Sequence, residues 1–261
     1  MGHERLGTLP KTQRWKQVIE QIAKPSLSNA DVADVVSQTT QNISSRFRNI
    51  HSEPGVQAAF KFLVSLSVAS RSSTPRETLS SNGIDVPGTA TPLSLAKAVR
   101  AQVTARRHSL EYGEIAQNAA VDAIAIWYER NRDRQLSLFE PQKDPFGIWR
   151  KTGGGAGFCE LARLFFAKFT ERYLNYFLER EASGHLPNLY QREQFNKKLQ
   201  EHIDTISNHA FETAKITQSF AAGWFNKHAT EHVPSDTEIE DFLFVAFGKI
   251  RDEIQQEGDK G

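Results

Sequence analysis

The stretch from Phe158 to Arg180 constrains the fold of this 261-residue chain more than any other. Aromatic and aliphatic residues recur in it every three or four positions, which is the spacing of one face of a helix. Further Phe and Leu residues widen the apolar arc well beyond the stripe of an ordinary surface helix. The pattern predicts one helix about 35 Å long at 1.5 Å per residue. Because such a helix must be covered on several sides, we expect it to lie at the centre of a helical bundle.

Helical periodicity also covers most of the rest of the chain. The predicted helices are residues 12–24, 28–50, 54–70, 92–108, 110–130, 158–180, 189–230 (as one helix or two) and 235–254, with a short helix at 75–80. The segment SGHLPN, residues 183–188, is predicted to be a turn. No stretch alternates as a strand would, and no repeat of fixed period occurs. The sequence therefore predicts an all-α fold, a multi-helix bundle of about eight to ten helices around the long apolar central helix.

Residues 131–157 lose this periodicity and carry Pro141, Pro145 and three consecutive glycines. A structureless connection of this length is typical of a domain boundary or a functional segment. Composition also changes there, since 14 of the 17 phenylalanines follow residue 138. We therefore predict an N-terminal helical bundle over residues 1–135 and a Phe-rich C-terminal bundle over 150–261, with one continuous domain as the alternative.

The composition argues against some classes of function but does not identify one. The formal net charge of +1 gives no global attraction to nucleic acid or to an anionic membrane, although a local patch is compatible with it. No run of about 18 apolar residues occurs, and the amino-terminal residues are polar. We therefore expect a cytoplasmic protein that does not bind a membrane. The single cysteine, Cys159, cannot form an internal disulfide, and no motif calls for a cofactor.

The segment KTGGGAGF, residues 151–158, leads directly into the predicted central helix. Exposed N–H groups at a helix amino terminus bind anions, and glycines allow close approach of a ligand. One interpretation is therefore an anion or nucleic-acid phosphate site formed by the residues Arg150, Lys151, Gly153, Gly154 and Gly155. The other is a flexible hinge. The segment is not a Walker A motif, because no Gly-Lys-Ser/Thr follows.

A basic cluster that includes Arg106 and Arg107 closes the predicted helix 92–108. Cations favour the carboxyl end of a helix, where they offset its dipole, and this is the simpler interpretation. The alternative is a local basic patch that contacts nucleic-acid phosphates.

Residues His228 and His232 flank Glu231 in the order H-x-x-E-H, which formally matches the inverted zinc-protease motif. Two histidines four residues apart can bind one metal from the same helical face. The motif precedes Pro234 at a predicted helix end, where a third ligand is hard to supply. We therefore expect a solvated helix end and no metal, with His228 and His232 as the ligands if one binds.

Arginine precedes histidine by five positions twice, at Arg46 and His51 and at Arg180 and His185. This spacing resembles the active-site motif of HEPN-type ribonucleases, which are helical and metal-independent. The resemblance implies that the arginine stabilises phosphate charge while the histidine handles the proton of the 2′-hydroxyl. It covers six residues each time. The predicted turn at His185 departs from the family pattern, in which the helix continues.

These observations lead to one functional prediction with alternatives. Many amphipathic helices, balanced charge and no dominant catalytic motif favour a non-enzymatic interaction or scaffold subunit of a multi-protein bacterial assembly, such as an anti-phage defence system. Its partners would be other proteins or further copies of the chain. The alternatives are a HEPN-like ribonuclease and a nucleic-acid-binding accessory protein.

Overall fold

The computed structural model describes residues 49–86, 89–106, 110–132, 144, 146–185, 189–190, 192–197, 215–230 and 232–258. Every regular element in these ranges is helical, which confirms the predicted all-α class for this part of the chain. The helices are α1 (Pro54–Ala69), α2 (Pro75–Ser81), α3 (Pro92–Arg106), α4 (Leu110–Asn131), α5 (Gly155–His185), α6 (Lys215–His228) and α7 (Asp236–Gly258). Two 3₁₀ helices span Ile50–Ser52 and Gly147–Gly153. The predicted helix 12–24 and residues 28–48 of the predicted helix 28–50 lie outside the described residues, and Ile50 begins the first 3₁₀ helix.

Helix starts follow the local sequence signals closely. Pro54 and Pro75 each occupy the first turn of a helix, where proline has a favourable φ and no N–H is needed. Before Pro92, the Thr91 hydroxyl accepts a hydrogen bond from the Ser94 backbone N–H at 3.2 Å and caps α3. These starts were predicted from the sequence and are confirmed.

The long helix predicted over 158–180 extends further in both directions. It begins at Gly155 and ends at His185, so the turn predicted from Ser183 is wrong over its first three residues. Gly184 costs about 1 kcal/mol in a helix, which the last turn of a long helix tolerates. The helix instead ends two residues before Pro187, a residue type that disfavours helix at the preceding position. That this helix is the centre of the fold stays a prediction.

Helix α1 is the most completely buried of the described helices. Thirteen of its 16 residues are buried, including Phe60, Phe62 and Leu63. It packs against α2, α3, α4 and the 3₁₀ helix Gly147–Gly153. The Phe60 ring also meets the rings of Phe158 and Phe165 on α5, at centroid distances of 6.1 and 5.5 Å. A helix buried all round is apolar on every side, and α1 has this character.

The chain divides into two compact units. Unit 1 comprises residues 1–50, 170–214 and 246–261, and unit 2 comprises 51–169 and 215–245. Unit 2 contains α1 to α4, the first half of α5, α6 and the start of α7. The predicted boundary in the 131–157 loop, with its one-domain alternative, stays a prediction. Within that stretch lie the 3₁₀ helix Gly147–Gly153 and the first turn of α5.

Across the described residues, the helices lack any segment of the length and apolar character needed to cross a lipid bilayer.

Candidate functional site

The glycine-rich segment that leads into α5 is held in place by buried hydrogen bonds in unit 2. The Trp149 indole N–H donates to the Ala90 carbonyl at 2.8 Å, and both residues are buried. The Thr152 hydroxyl donates to the Trp149 carbonyl at 2.7 Å and lies 3.4 Å from the Ser70 hydroxyl. Because buried hydrogen-bonding groups are costly to leave unsatisfied, these bonds fix the path of the chain into α5.

At three of the glycines in this segment, an added side chain would force a neighbouring group to move. A β-carbon at Gly153 would lie 2.7 Å from Cγ of Arg71, and one at Gly155 would lie 2.8 Å from the Asn226 amide. A β-carbon at Gly157 would run into the backbone carbonyl of Lys151. Only Gly154 has open space around it. Close packing is therefore what these three glycines provide in the described structure.

Arg71 joins the glycine segment to the end of α6. Its guanidinium donates through Nε to the Gly153 carbonyl and through Nη1 to the Ala229 carbonyl at 3.0 Å. The same group lies over the ring of Phe225, 4.5 Å from its centroid, in a cation–π contact. Desolvation lowers the pKa of Arg71 from its usual value, although arginine stays charged in proteins. One side chain thus satisfies carbonyls from two separate elements.

The basic residues predicted to bind an anion at this segment lie on the 3₁₀ helix Gly147–Gly153. Arg150 is exposed and pairs with Asp144 at 2.7 Å. The Arg150 hydrogen bond and the Phe146 backbone N–H together lower the pKa of Asp144. Lys151 is exposed, and its carbonyl packs against Gly157. The anion-site interpretation of Arg150, Lys151 and Gly153 to Gly155 stays a prediction.

The other predicted basic residue, Arg106, lies at the end of α3 and contacts α7. Its guanidinium lies 3.2 Å from Oδ1 of Asp236, which also accepts from the Lys61 ammonium at 2.6 Å. The Lys61 hydrogen bond is the largest cause of a lowered pKa at Asp236. Arg107 lies outside the described residues. Arg106 therefore has a structural partner in unit 2, and its predicted contact with phosphate stays a prediction.

His228, the last residue of α6, bonds to Glu238 on α7. Its Nδ1 lies 2.9 Å from Oε1 of Glu238, and its ring stacks on Trp224 with centroids 5.6 Å apart. The other carboxylate oxygen of Glu238 accepts from the Ser235 backbone N–H at 2.9 Å and from the Ser235 hydroxyl at 2.8 Å. The His228 hydrogen bond, followed by those of Ser235, lowers the pKa of Glu238 from 4.5 to about 2.

This arrangement is a capping box that also reaches a second helix. Ser235 and Glu238 exchange hydrogen bonds across the first turn of α7, as the residue pattern S-x-x-E predicts. The spare oxygen of the same carboxylate holds His228, so one glutamate caps α7 and ties it to the end of α6.

If His228 and His232 bound a metal they would need a third ligand, and the described residues do not bring one to this pair. His232 is exposed, and Glu231 lies outside the described residues. No group of three or more His, Cys, Asp or Glu residues within the described ranges is arranged to hold a metal ion.

The two Arg–His pairs are only partly described. Arg46 lies outside the described residues, while the His51 carbonyl accepts from the Gln57 amide at 3.0 Å and its ring meets Phe244 edge-on at 5.0 Å. Arg180 and His185 both belong to α5, because that helix runs to His185. The predicted departure from the HEPN pattern, a turn at His185, is therefore wrong.

Cys159 is buried near the amino end of α5, where its side chain is 1% exposed. Burial is the main cause of a raised pKa for its thiol. A thiol whose pKa is raised forms little of the thiolate that reacts with electrophiles, so Cys159 behaves as a small apolar residue.

Sequence reasoning missed three of the polar residues that organise this region. Arg71 follows a helix end in a Ser-rich stretch, where nothing in the sequence distinguishes it from a solvated cation. Asp236 and Glu238 lie in the first turn of α7, where the helix dipole alone favours acidic residues. Their partners in other elements, such as Lys61 at a separation of 175 residues, could be found only from the three-dimensional structure.

Comparison with known proteins adds no relative: no family model, no curated protein and no solved structure matches this chain.

Proposed function

We propose that this chain is a non-enzymatic helical interaction subunit of a multi-protein assembly, with a bacterial anti-phage defence system as one setting. Its helices would serve as a scaffold that presents docking surfaces to other proteins or to further copies of itself.

The observation that carries this proposal is the exposure of large apolar side chains on otherwise well-packed helices. Leu93 and Phe244 are 68% and 60% exposed in unit 2, and the adjacent Leu189 and Tyr190 are 83% and 70% exposed in unit 1. Aromatic residues are enriched where proteins bind one another, and apolar groups left in water favour association. Both units therefore offer side chains that would gain from a partner.

The polar side chains of the candidate sites support the same proposal. Arg71 is bonded to backbone carbonyls, His228 to Glu238, and Arg106 to Asp236. Each of these bonds holds two elements of unit 2 together. General acid–base catalysis needs a base within hydrogen-bond reach of a substrate proton, whereas Nδ1 of His228 is already engaged by a capping carboxylate.

Size-exclusion chromatography with light scattering tests the proposal on the full chain, alone and mixed with the proteins encoded beside it. We expect either a mass above that of the 29.4 kDa monomer or a stable complex with a neighbour. Each of the variants Leu93→Ser, Tyr190→Ser and Phe244→Ser should weaken that association without changing the unfolding midpoint. A chain that stays strictly monomeric and retains no partner would refute the proposal.

A HEPN-like ribonuclease is the second candidate, and one specific observation favours it. Arg180 and His185 both lie in α5, which runs as far as His185, so the pair is helical as the resemblance implies. Purified chain incubated with single-stranded RNA should then cleave it without added metal, and Arg180→Ala or His185→Ala should abolish the cleavage. The same substitutions at Arg46 and His51 test the other pair. Absence of cleavage by the purified unsubstituted chain excludes this candidate.

A further inference from the structure

The outward side of α3 carries a ridge of exposed residues. Successive residues turn about 100° around a helix axis, so positions 93, 97, 100 and 104 fall within about 60° of one another and span about 16 Å. The four residues of this cationic ridge, all exposed, are Leu93, Lys97, Arg100 and Thr104. The opposite side of α3 is the buried one, formed by the residues Leu95, Ala98, Val99 and Val103.

The positive charge of the cationic ridge is not offset by negative charge on its own helix. Helix α3 contains three cations and no acidic residue. Within the described part of the chain, neither Lys97 nor Arg100 pairs with a carboxylate, whereas Arg106 pairs with Asp236. Since the whole chain has a net charge of only +1, this local excess is not a consequence of general basicity.

The exposed Leu93 at one end of the ridge distinguishes the ridge from an ordinary solvated helix face. Leu93 is 68% exposed one turn before Lys97. An apolar side chain next to two exposed cations matches a partner surface that has an apolar position followed by carboxylates one and two turns away. Helix-in-groove and helix-on-helix recognition use side chains at this spacing.

We propose that the cationic ridge of α3 is the docking surface for an acidic amphipathic segment of a partner protein, which contacts Leu93 with an apolar side chain and Lys97 and Arg100 with carboxylates. This inference deepens the proposed function, on which it rests, by naming the surface and the partner's chemistry.

An acidic protein segment fits the ridge better than a nucleic acid or a membrane does. Nucleic-acid sites typically neutralise many phosphates with a cluster of cations in a strongly basic domain, and the ridge offers two. A phosphate backbone also makes no use of Leu93. A lipid surface needs several basic residues together with a large apolar face for stable binding, and here one leucine is available.

Fluorescence anisotropy with the full chain tests this inference. The probe is a labelled synthetic amphipathic helix of Leu, Ala and Glu, with one apolar side and one glutamate-lined edge. We expect it to bind, with an affinity that falls at higher salt because exposed charges are screened. The double variant K97E/R100E should weaken binding at least tenfold, and Leu93→Ser several-fold. The matched control is Lys227→Glu, an exposed lysine on α6, which should bind as the unsubstituted chain does.

A charge-reversed probe with Lys in place of Glu completes the experiment, and it should prefer K97E/R100E over the unsubstituted chain. The inference is overturned if no acidic probe binds, if K97E/R100E binds it equally well, or if a single-stranded RNA or a phosphatidylserine vesicle binds more tightly through the same two residues. Failure here is distinct from failure of the proposed function. A complex that survives K97E/R100E leaves the interaction role intact and removes only the ridge.

Discussion

Replacing Gly157 by alanine tests whether close packing, rather than a need for flexibility, explains the glycines at the start of α5. The new methyl group would run into the Lys151 backbone carbonyl and would lie 2.8 Å from its carbon, so the 3₁₀ helix or the first turn of α5 must shift. Overpacking against backbone costs about 1–3 kcal/mol. We expect Gly157→Ala to lower the free energy of unfolding by at least that amount, measured by urea denaturation.

Gly223→Ala is the matched control, because Gly223 also lies in a helix but has open space around its Cα. Alanine restricts the unfolded chain and favours helix, so this variant should gain about 0.5–1 kcal/mol. If both variants had the same stability, the glycine segment would have enough freedom to accommodate a side chain, as the hinge interpretation requires.

Glu238 should give the protein an acid-sensitive contribution to stability. Its folded-state pKa of about 2 lies below the ordinary 4.5 because the ionised carboxylate accepts bonds from His228 and Ser235. A lowered folded-state pKa means that the stabilisation is fully present above about pH 4.5 and is lost as the pH falls toward 2. Because the carboxylate is partly exposed, we expect about 1 kcal/mol or less.

The variant Glu238→Gln isolates this contribution. Glutamine retains the capping geometry of α7, since either Glu or Gln serves in a capping box, but it carries no charge. Unfolding free energies at pH 7 and pH 3 should differ less for the variant than for the unsubstituted chain. An equal pH dependence in the two proteins would show that Glu238 does not titrate as its contacts indicate.

At the scale of elements, Arg71 is the side chain that ties the glycine segment to the end of α6. Arg71→Met keeps much of the aliphatic stem but leaves the Gly153 and Ala229 carbonyls without their donor. Losing charged donors to buried carbonyls costs roughly 1–3 kcal/mol. Arg71→Lys should not restore this stability, because an ammonium cannot reproduce the fork of a guanidinium.

Arg100→Met is the control for Arg71→Met, because Arg100 is exposed and has no carboxylate partner in the described part of the chain. Its effect should stay within about 0.5 kcal/mol. Amide hydrogen exchange locates the change: residues 152–157 and 226–230 should lose protection in Arg71→Met alone. Uniform loss of protection across α1 to α4 would contradict a local tie.

Helix starts could be predicted from the sequence because their signals are local. Proline at a first position and Ser235 with Glu238 act within one turn, and the helices begin there. The end at His185 was mispredicted, because a Ser-Gly pair favours a turn locally whereas the preceding turns of α5 favour continuing the helix. Periodicity also drew attention to α5, although α1 is the more completely buried helix.

The candidate site was less predictable because its contacts join distant parts of the chain. The glycines of the segment 153–157 were identified from the sequence, but two neighbours that an added side chain would displace, Arg71 and Asn226, lie about 80 and 70 residues away. Leu93 is as apolar as the buried Leu95 of the same helix, yet it lies on the outward side. A short apolar pattern does not determine which one of its leucines is exposed to water.

At the scale of the whole molecule, apolar packing rather than surface charge should hold unit 2 together. Asp236 pairs with Lys61 and Arg106 across three helices, but its side chain is 57% exposed. Exposed ion pairs contribute about 0–1 kcal/mol and weaken with salt. The rings around Phe60 are buried by contrast, with Phe242 stacked on Phe60 at a centroid distance of 5.1 Å.

Substitutions at two phenylalanines of unit 2 distinguish an effect on folding from an effect on association. Phe60 is fully buried, so Phe60→Ala should lower the free energy of unfolding by about 3–5 kcal/mol. Phe60→Leu should keep the fold at a smaller cost, which guards against a variant that fails to fold. Phe244 is 60% exposed, and Phe244→Ala should cost about 1 kcal/mol or less, mainly through its edge contact with His51.

Under the proposed function, the exposed position should instead matter for binding. Phe244→Ala should weaken self-association or partner binding in light scattering, while Phe60→Leu should leave it unchanged. The reverse pattern, in which the buried substitution alone reduces association, would mean that Phe244 is an incidental apolar residue on the surface.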